Sequence, residues 1–253
     1  MTVTLPRLDW GGRNSPQRAL MVHGLGSSAQ TCWRVMEALA EAGWSATAVD
    51  LRGHGHAPRA SRYRITDFAA DLAGVWPDLG QQPWDVVIGH SIGAASAVVA
   101  HAETPGWTKR LVLIDPALFL DDTARESVLA NQRSGHLEQT LEDVARAFPH
   151  WHPLDVQLKV HAHRQASLYA LEHAVFDNDP WDVTEWARRV DVPTLVVGAD
   201  PELGSMFSGD YAKDLVHHNP HYRYHVIPGA GHSVHRDKPE ATIEAIRSFL
   251  AEG

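Results

Sequence analysis

Ser91 stands between two glycines, in Gly89-His90-Ser91-Ile92-Gly93, where an apolar run from Trp84 to Gly89 gives way to a small-residue helical stretch, Ile92 to His101. A serine that only caps a helix has no need of glycine on both sides. A serine held in a strained, left-handed strand-to-helix turn does, because side chains at the flanking positions would collide with the neighbouring strand and helix. Such a turn costs about 1–3 kcal/mol and persists only where the surrounding structure enforces it. It lifts the hydroxyl clear of the backbone and sets it at a helix N-terminus, where developing negative charge is favoured. The chemistry this suits is nucleophilic attack.

A hydroxyl at pH 7 is a poor nucleophile, so Ser91 requires a base and an acid to orient that base. The chain has 17 histidines, and position selects among them. Gly229-Ala230-Gly231-His232 follows the last strand-like run and precedes the last helix, and its glycines let an imidazole enter a crowded site. His232 is therefore the expected general base. The acid should come from the end of an earlier strand on the same edge. Asp200, which ends Thr194–Asp200, is the expected acid, and Asp115, which ends Leu111–Asp115, is its competitor. The carboxylate not used by the base is read as bracing the loop that follows it.

Two cofactor readings fail on spacing. The histidine pairs His54/His56, His161/His163 and His217/His218 do not set two ligands one helical turn apart with an acid nearby, so no metal is expected. Gly24-Leu25-Gly26 has neither a third glycine nor a ribose-binding acid in register, so no nucleotide is expected either. The single cysteine, Cys32, lies in a helix-like stretch with nothing to activate it, and reads as packing.

These residues must be positioned by alternating strands and helices. Short apolar runs at Arg18–Gly24, Trp44–Asp50, Trp84–Gly89, Arg110–Asp115, Thr194–Asp200 and Tyr222–Gly229 are nearly continuous, as parallel strands covered on both faces are. Thr2–Trp10 is an expected edge strand. Gln30–Ala42, Thr66–Leu79 and Lys238–Leu250 carry apolar residues at helical spacing. The long interval between Asp115 and Thr194 has no convincing strand. Glu126–Gln132, Leu137–Phe148, Val156–Leu171 and Trp181–Val190 look helical there, and a structureless loop of that length would be improbable. The expectation is a core in residues 1–117 and 191–253, with residues 118–190 inserted as a helical cap. Most of the cap's aromatics are expected to pack its own small core.

Composition narrows the partners. The chain of 253 residues carries 31 acidic and 22 basic residues, a formal net charge of -9, with no cluster of Lys or Arg. Nucleic acid and anionic membranes are unlikely partners on that balance. The first ten residues do not read as a secretory signal, no stretch reads as a membrane span, and one cysteine allows no internal disulfide. A cytoplasmic protein acting on a small molecule is the expectation, with its oligomeric state open.

The order Ser91, Asp200, His232 resembles the serine–acid–histidine order of the α/β-hydrolase fold superfamily. Other segments carry the same resemblance. His23-Gly24-Leu25-Gly26-Ser27-Ser28 is similar to its oxyanion-hole loop, and Asp50-Leu51-Arg52-Gly53-His54-Gly55-His56 to the turn after its next strand. Gly89–Gly93 matches its nucleophile elbow and Gly231–Arg236 its histidine loop. The chain departs from many relatives in having one residue fewer between Gly198 and Asp200. The resemblance implies an α/β fold, a mostly parallel, doubly wound α/β-hydrolase sheet with a helical cap inserted after the sixth strand. It also implies the backbone N–H groups of Leu25 and Ile92 as oxyanion donors. His23, His90 and Trp151 are the candidate pocket residues, with His23 also read as a brace for the oxyanion loop.

The expected activity is a cofactor-independent serine hydrolase cleaving a carboxylic ester, lactone or thioester through an acyl-enzyme on Ser91. The alternatives are hydrolytic carbon–carbon cleavage of a vinylogous diketone, or perhydrolase and haloperoxidase-type chemistry, on the same three residues. A non-catalytic ligand receptor is the reading from another class.

Overall fold

The computed structural model describes residues 1–12, 15–77, 81–137 and 139–252. Seven strands form one sheet: β1 (Arg7–Trp10), β2 (Arg18–Val22), β3 (Ser45–Val49), β4 (Val86–His90), β5 (Leu111–Ile114) and, after a two-stranded ribbon of β6 (Phe119–Leu120) and β7 (Trp181–Asp182), β8 (Thr194–Gly198) and β9 (Tyr222–Val226). Their spatial order is β1-β3-β2-β4-β5-β8-β9. Only β1 runs antiparallel, paired with β3 at the edge. All other pairings in this sheet are parallel.

Alternate residues of the central strands enter two different apolar cores, which is why these runs are hydrophobic throughout. In β2, Leu20 and Val22 join the core beneath α2 (Ile65–Ala73) and α3 (Ile92–Glu103), whereas Ala19 and Met21 join the core beneath α1 (Trp33–Glu41) and α11 (Pro239–Ala251). The predicted helix over Thr66–Leu79 is shorter, and Leu79 lies outside the described residues.

The interval after β5 holds α4 (Asp122–Leu137), α5 (Leu141–Ala147), α6 (Pro153–Gln165), α7 (Leu168–Phe176) and α8 (Thr184–Arg188). The single helix expected over Val156–Leu171 is two, because the chain turns at Ala166 in an extended conformation and Ser167 caps α7 with its side chain. The insertion departs from the fifth strand in chain order, not the sixth. Leu120, Ala170, Ala174 and Trp181 extend the sheet's own core, so the interval is partly continuous with the body of the protein. Val144, Trp151, Val156 and Val160, with Phe148 against them, form a separate small cluster. Beside the one-turn helix after His232, a longer helix went unexpected, α9 (Gly209–His218), which buries Ala212 and Leu215 at a spacing of three. The last stretches are α10 (Val234–Asp237) and α11. Among the described residues no helix is long and apolar enough to cross a membrane.

Candidate active site

Strand order decides what meets at the sheet's carboxyl edge. The chain builds β1 to β3 on one side of β2 and then starts β4 on the other. The ends of β2, β4 and β5 therefore lie side by side at the point where the winding reverses, the usual place for a ligand in an open α/β sheet.

Ser91 follows β4 with φ 55° and ψ -122° and precedes the first residue of α3. The two flanking glycines are required by close approach. A Cβ at Gly89 would lie 2.5 Å from the Ala94 Cα, and one at Gly93 would lie 2.4 Å from the His23 carbonyl oxygen. The strained turn is held from three sides: Ser91 N–H donates to the Ile114 carbonyl at 3.1 Å, and the Ser91 carbonyl accepts from Ala94, Ala95 and Ala117.

The loop after β2 is pinned by two buried imidazoles. The His23 Nδ1–H donates to the Gly24 carbonyl at 2.8 Å, while Nε2 accepts from Leu51 N–H at 3.0 Å. The His54 Nδ1–H donates to the Arg52 carbonyl at 2.9 Å, and its Nε2 accepts from Gly26 N–H at 3.1 Å. Burial, with the neighbouring His23, lowers the His54 ring to about 3 and keeps it neutral, as an acceptor must be. The Asp50 carboxylate accepts from Ala29 N–H and His56 N–H, joining the next turn to the same loop. So fixed, Leu25 faces the cavity at Ser91, and its N–H takes no acceptor among the described residues, like that of Ile92 at the start of α3.

His232 lies in the loop after β9 and lines the same cavity as Ser91. Its Nδ1–H donates to Asp115 Oδ2 at 2.7 Å. The expected partner, Asp200, is elsewhere: its Oδ1 accepts from Glu202 N–H at 3.0 Å and its Oδ2 from Gly229 N–H at 2.9 Å. Asp200 thus caps the turn after β8 and ties it to the turn after β9. Its own N–H donates to the Ala230 carbonyl, which fixes its backbone too far back in the loop to aim the carboxylate at His232. Asp115, at the end of β5 with φ 37° and 0% exposed, takes the position instead. Its carboxylate also accepts from Ser205 Oγ at 2.6 Å, Met206 N–H at 3.0 Å and Ala199 N–H at 3.3 Å. Burial pushes this carboxyl up, but His232 and the donors from Met206 and Ser205 outweigh it and hold the group below the usual carboxylate range.

With Nδ1 bound to Asp115, the opposite edge of the His232 ring is left for the cavity. No hydrogen bond joins its Nε2 to Ser91 Oγ. His90 supports the base from behind. Its Nε2–H donates to the His232 carbonyl at 2.9 Å, and its ring lies 4.8 Å from that of His232 and 4.7 Å from that of His235. Burial, then the charges of His235 and His232, keep His90 well below its usual range and neutral.

The cavity has a volume of about 470 Å³, within the range of small-molecule sites. Of the pocket residues expected from sequence, His90 and Trp151 line it, and Leu25 and Ile92 do so at the nucleophile. His23 does not; it is buried behind the loop it braces. The sequence reading missed Lys159 on α6 and Arg236 on α10, two cations on the cavity wall. Their signal was a charged residue at a position whose helical neighbours, Val156 and Val160 or Val234 and His235, are buried. Cys32 is buried, and burial pushes its thiol up to about 12, far from a nucleophile's range. Among the described residues no three His, Cys, Asp or Glu side chains converge as a metal site would require.

The sequence profile of the Alpha/beta hydrolase family matches residues 19–245. The chain belongs to that family. It is similar to an esterase of Mycobacterium tuberculosis, 30% identical over 96% of this chain and 85% of that protein. It is also similar to a 2-(acetamidomethylene)succinate hydrolase of Mesorhizobium japonicum, 27% identical over 91% of this chain and 87% of the relative. The crystal structure of an E-2-(acetamidomethylene)succinate hydrolase superposes with a TM-score of 0.85 at 25% identity, covering 98% of this chain and 96% of that one. Relatives named esterase and hydrolase support a hydrolase here.

Proposed function

We propose that this α/β hydrolase is a cofactor-independent serine hydrolase that cleaves a carboxylic ester, lactone or thioester through an acyl-enzyme on Ser91. The observation that carries the reading is the 2.7 Å contact of His232 with the buried Asp115, on the cavity that the strained Ser91 also lines. Ser91 Oγ attacks the carbonyl carbon as His232 Nε2 takes the hydroxyl proton. The resulting oxyanion lies toward the free N–H groups of Leu25 and Ile92, each such donor being worth about 2.7–4 kcal/mol in the transition state. Collapse expels the leaving group, which receives the proton from His232. Water, deprotonated by the same ring, then attacks the acyl-serine; a carboxylic acid leaves and Ser91 regains its proton. Asp115, rather than Asp200, fixes the His232 tautomer and stabilises the imidazolium formed in each half-reaction. Residues 118–190 act as the cap that closes the cavity around a small-molecule substrate.

The test is covalent labelling with a fluorophosphonate, read by peptide mass spectrometry. The expected adduct is on Ser91 and is absent from Ser91→Ala. Folded protein that takes no label, or takes it on another residue, overturns the reading.

A further inference from the structure

At the cavity wall two positive side chains lack, among the described residues, the direct ion-pair partner that buried cations ordinarily have. Arg236 is 4% exposed. Its Nη2 donates to Ser27 Oγ at 3.1 Å, its Nε has no hydrogen-bond acceptor, and its guanidinium carbon lies 5.3 Å from the centre of the Trp151 ring. Lys159, half-buried on α6, lines the same wall. Among the described residues neither forms an ion pair. The nearby carboxylates, Asp155 and Asp237, act on the Arg236 charge from a distance but form no ion pair with it. Asp237 accepts from Trp151 Nε1 at 2.6 Å, His150 Nε2 at 3.0 Å and Gly231 N–H at 2.8 Å. Asp155 accepts from Trp33 Nε1 at 2.9 Å and faces Arg34 Nε at 3.5 Å.

Two like charges on one partly enclosed wall repel each other, and an unpaired buried cation is costly, so such an arrangement points to a ligand that neutralises it. We propose that Arg236 and Lys159 form a carboxylate-binding subsite, so that the substrate attacked at Ser91 carries a carboxylate of its own. A planar guanidinium suits the two oxygens of a carboxylate, and a lysine adds a compact charge beside it. Gln132, whose Oε1 accepts from His163 Nε2–H at 2.8 Å, and Ser27 supply neutral polar groups on the same wall. A volume of about 470 Å³ admits a short acyl chain linking the carboxylate to the scissile carbonyl. Burial and the charge of Arg236 lower the Lys159 ammonium to about 7, so the cavity by itself disfavours a second charge.

This inference rests on the serine hydrolase reading for its reaction but not for its binding, and the two can be separated. The turnover arm compares the 4-nitrophenyl hemiester of succinate with the uncharged 4-nitrophenyl pentanoate. The wild type should prefer the charged ester at least tenfold in kcat/KM, and Lys159→Met and Arg236→Gln should each lower that charged-to-neutral ratio at least tenfold. A ratio changed less than threefold by Lys159→Met, which keeps an apolar stem, in protein whose circular dichroism spectrum matches the wild type, overturns the proposal. The binding arm uses Ser91→Ala and calorimetric titration with glutarate and with inorganic phosphate. Millimolar or tighter glutarate binding, weakened at least tenfold by Lys159→Met, supports the subsite even if no ester is turned over. Absence of glutarate binding, or tighter binding of phosphate than of glutarate, overturns it.

Discussion

Replacing Asp115 by Asn separates the two carboxylates most sharply. Oδ1 of Asp115 accepts from Ser205 Oγ and from two backbone N–H groups, Ala199 at 3.3 Å and Phe207 at 3.5 Å. Oδ2 accepts from one backbone N–H, Met206 at 3.0 Å, and from His232 Nδ1 at 2.7 Å. An amide nitrogen at the first position would confront two N–H groups. At the second it confronts one, and His232 can answer by changing tautomer. The amide therefore donates to Nδ1, the ring proton moves to Nε2, and the ring can no longer accept the Ser91 proton. The imidazolium also loses its buried negative neighbour. For the equivalent change in serine proteases the loss in kcat is about 10⁴-fold, and the same logic gives about 10³–10⁴ here, roughly 4–5.5 kcal/mol. The Met206 N–H left without an acceptor should lower stability by about 1–3 kcal/mol, or a Tm lower by about 2–10 °C for a chain of this size. Because the folded Asp115 pKa is depressed, its ionisation stabilises the wild type above the unfolded pKa. The Tm gap to Asp115→Asn should therefore narrow as pH falls through the folded value. Asp200→Asn, whose carboxylate meets only Glu202 and Gly229 N–H groups at the surface, should change kcat by no more than about threefold. Stopped-flow or steady-state hydrolysis of 4-nitrophenyl butyrate, with fluorophosphonate titration of active sites, measures both. The reasoning is refuted if Asp200→Asn is the more damaging, or if Asp115→Asn keeps more than about a tenth of the wild-type kcat.

Gly93→Ala places a Cβ 2.4 Å from the His23 carbonyl oxygen, a backbone atom that cannot swing aside. An overpacking cost of about 1–3 kcal/mol is expected, with Tm lower by about 2–10 °C by calorimetry; an unchanged Tm would show that the elbow has room. The Lys159 ammonium, lowered to about 7 by burial and Arg236, is charged below that pH and becomes neutral above it. A bound carboxylate raises its pKa, so glutarate affinity in Ser91→Ala should be full below pH 7 and weaken as pH rises from 7 to 9, with proton uptake on binding. The groups facing Lys159 are Arg236 and His163, while Asp155 and Asp237 are engaged elsewhere. The slope should vanish in Lys159→Met, and a slope that persists there would assign the titration to another group.

The sheet was readable because its physics is local. A parallel strand covered on both faces must be apolar at every position, and the runs ending at Gly24, Asp50, Gly89, Asp115 and Asp200 met that demand, as their split between two cores bears out. Helix ends were less legible. The break at Ala166 depends on Ser167 N–H reaching the Gly53 carbonyl in a distant loop, a contact no window of sequence contains. α9 was overlooked although Ala212 and Leu215 are correctly spaced, since a ten-residue helix with two buried positions gives a weak periodic signal.

The acid shows where local reading stops. Asp115 and Asp200 both end parallel strands on one edge, and both precede a proline. What separates them is the backbone around each. Asp200 is followed by Pro201 and Glu202 in a tight turn whose free N–H it caps, and its own N–H is bound to Ala230. Its carboxylate thus satisfies the loop that holds His232 rather than His232 itself. Asp115, in contrast, adopts φ 37°, which turns its side chain over the sheet edge into a nest of donors from residues 199–207 and onto the imidazole. One residue fewer between Gly198 and Asp200 shortens the reach of the later loop, and that departure was visible in the sequence. Read as a length rather than as a detail, it favours the carboxylate on β5. The same logic extends to Arg236. It sits four residues after His232, on the one-turn helix that the histidine loop must enter. The segment that carries His232 therefore also carries Arg236 to the cavity wall.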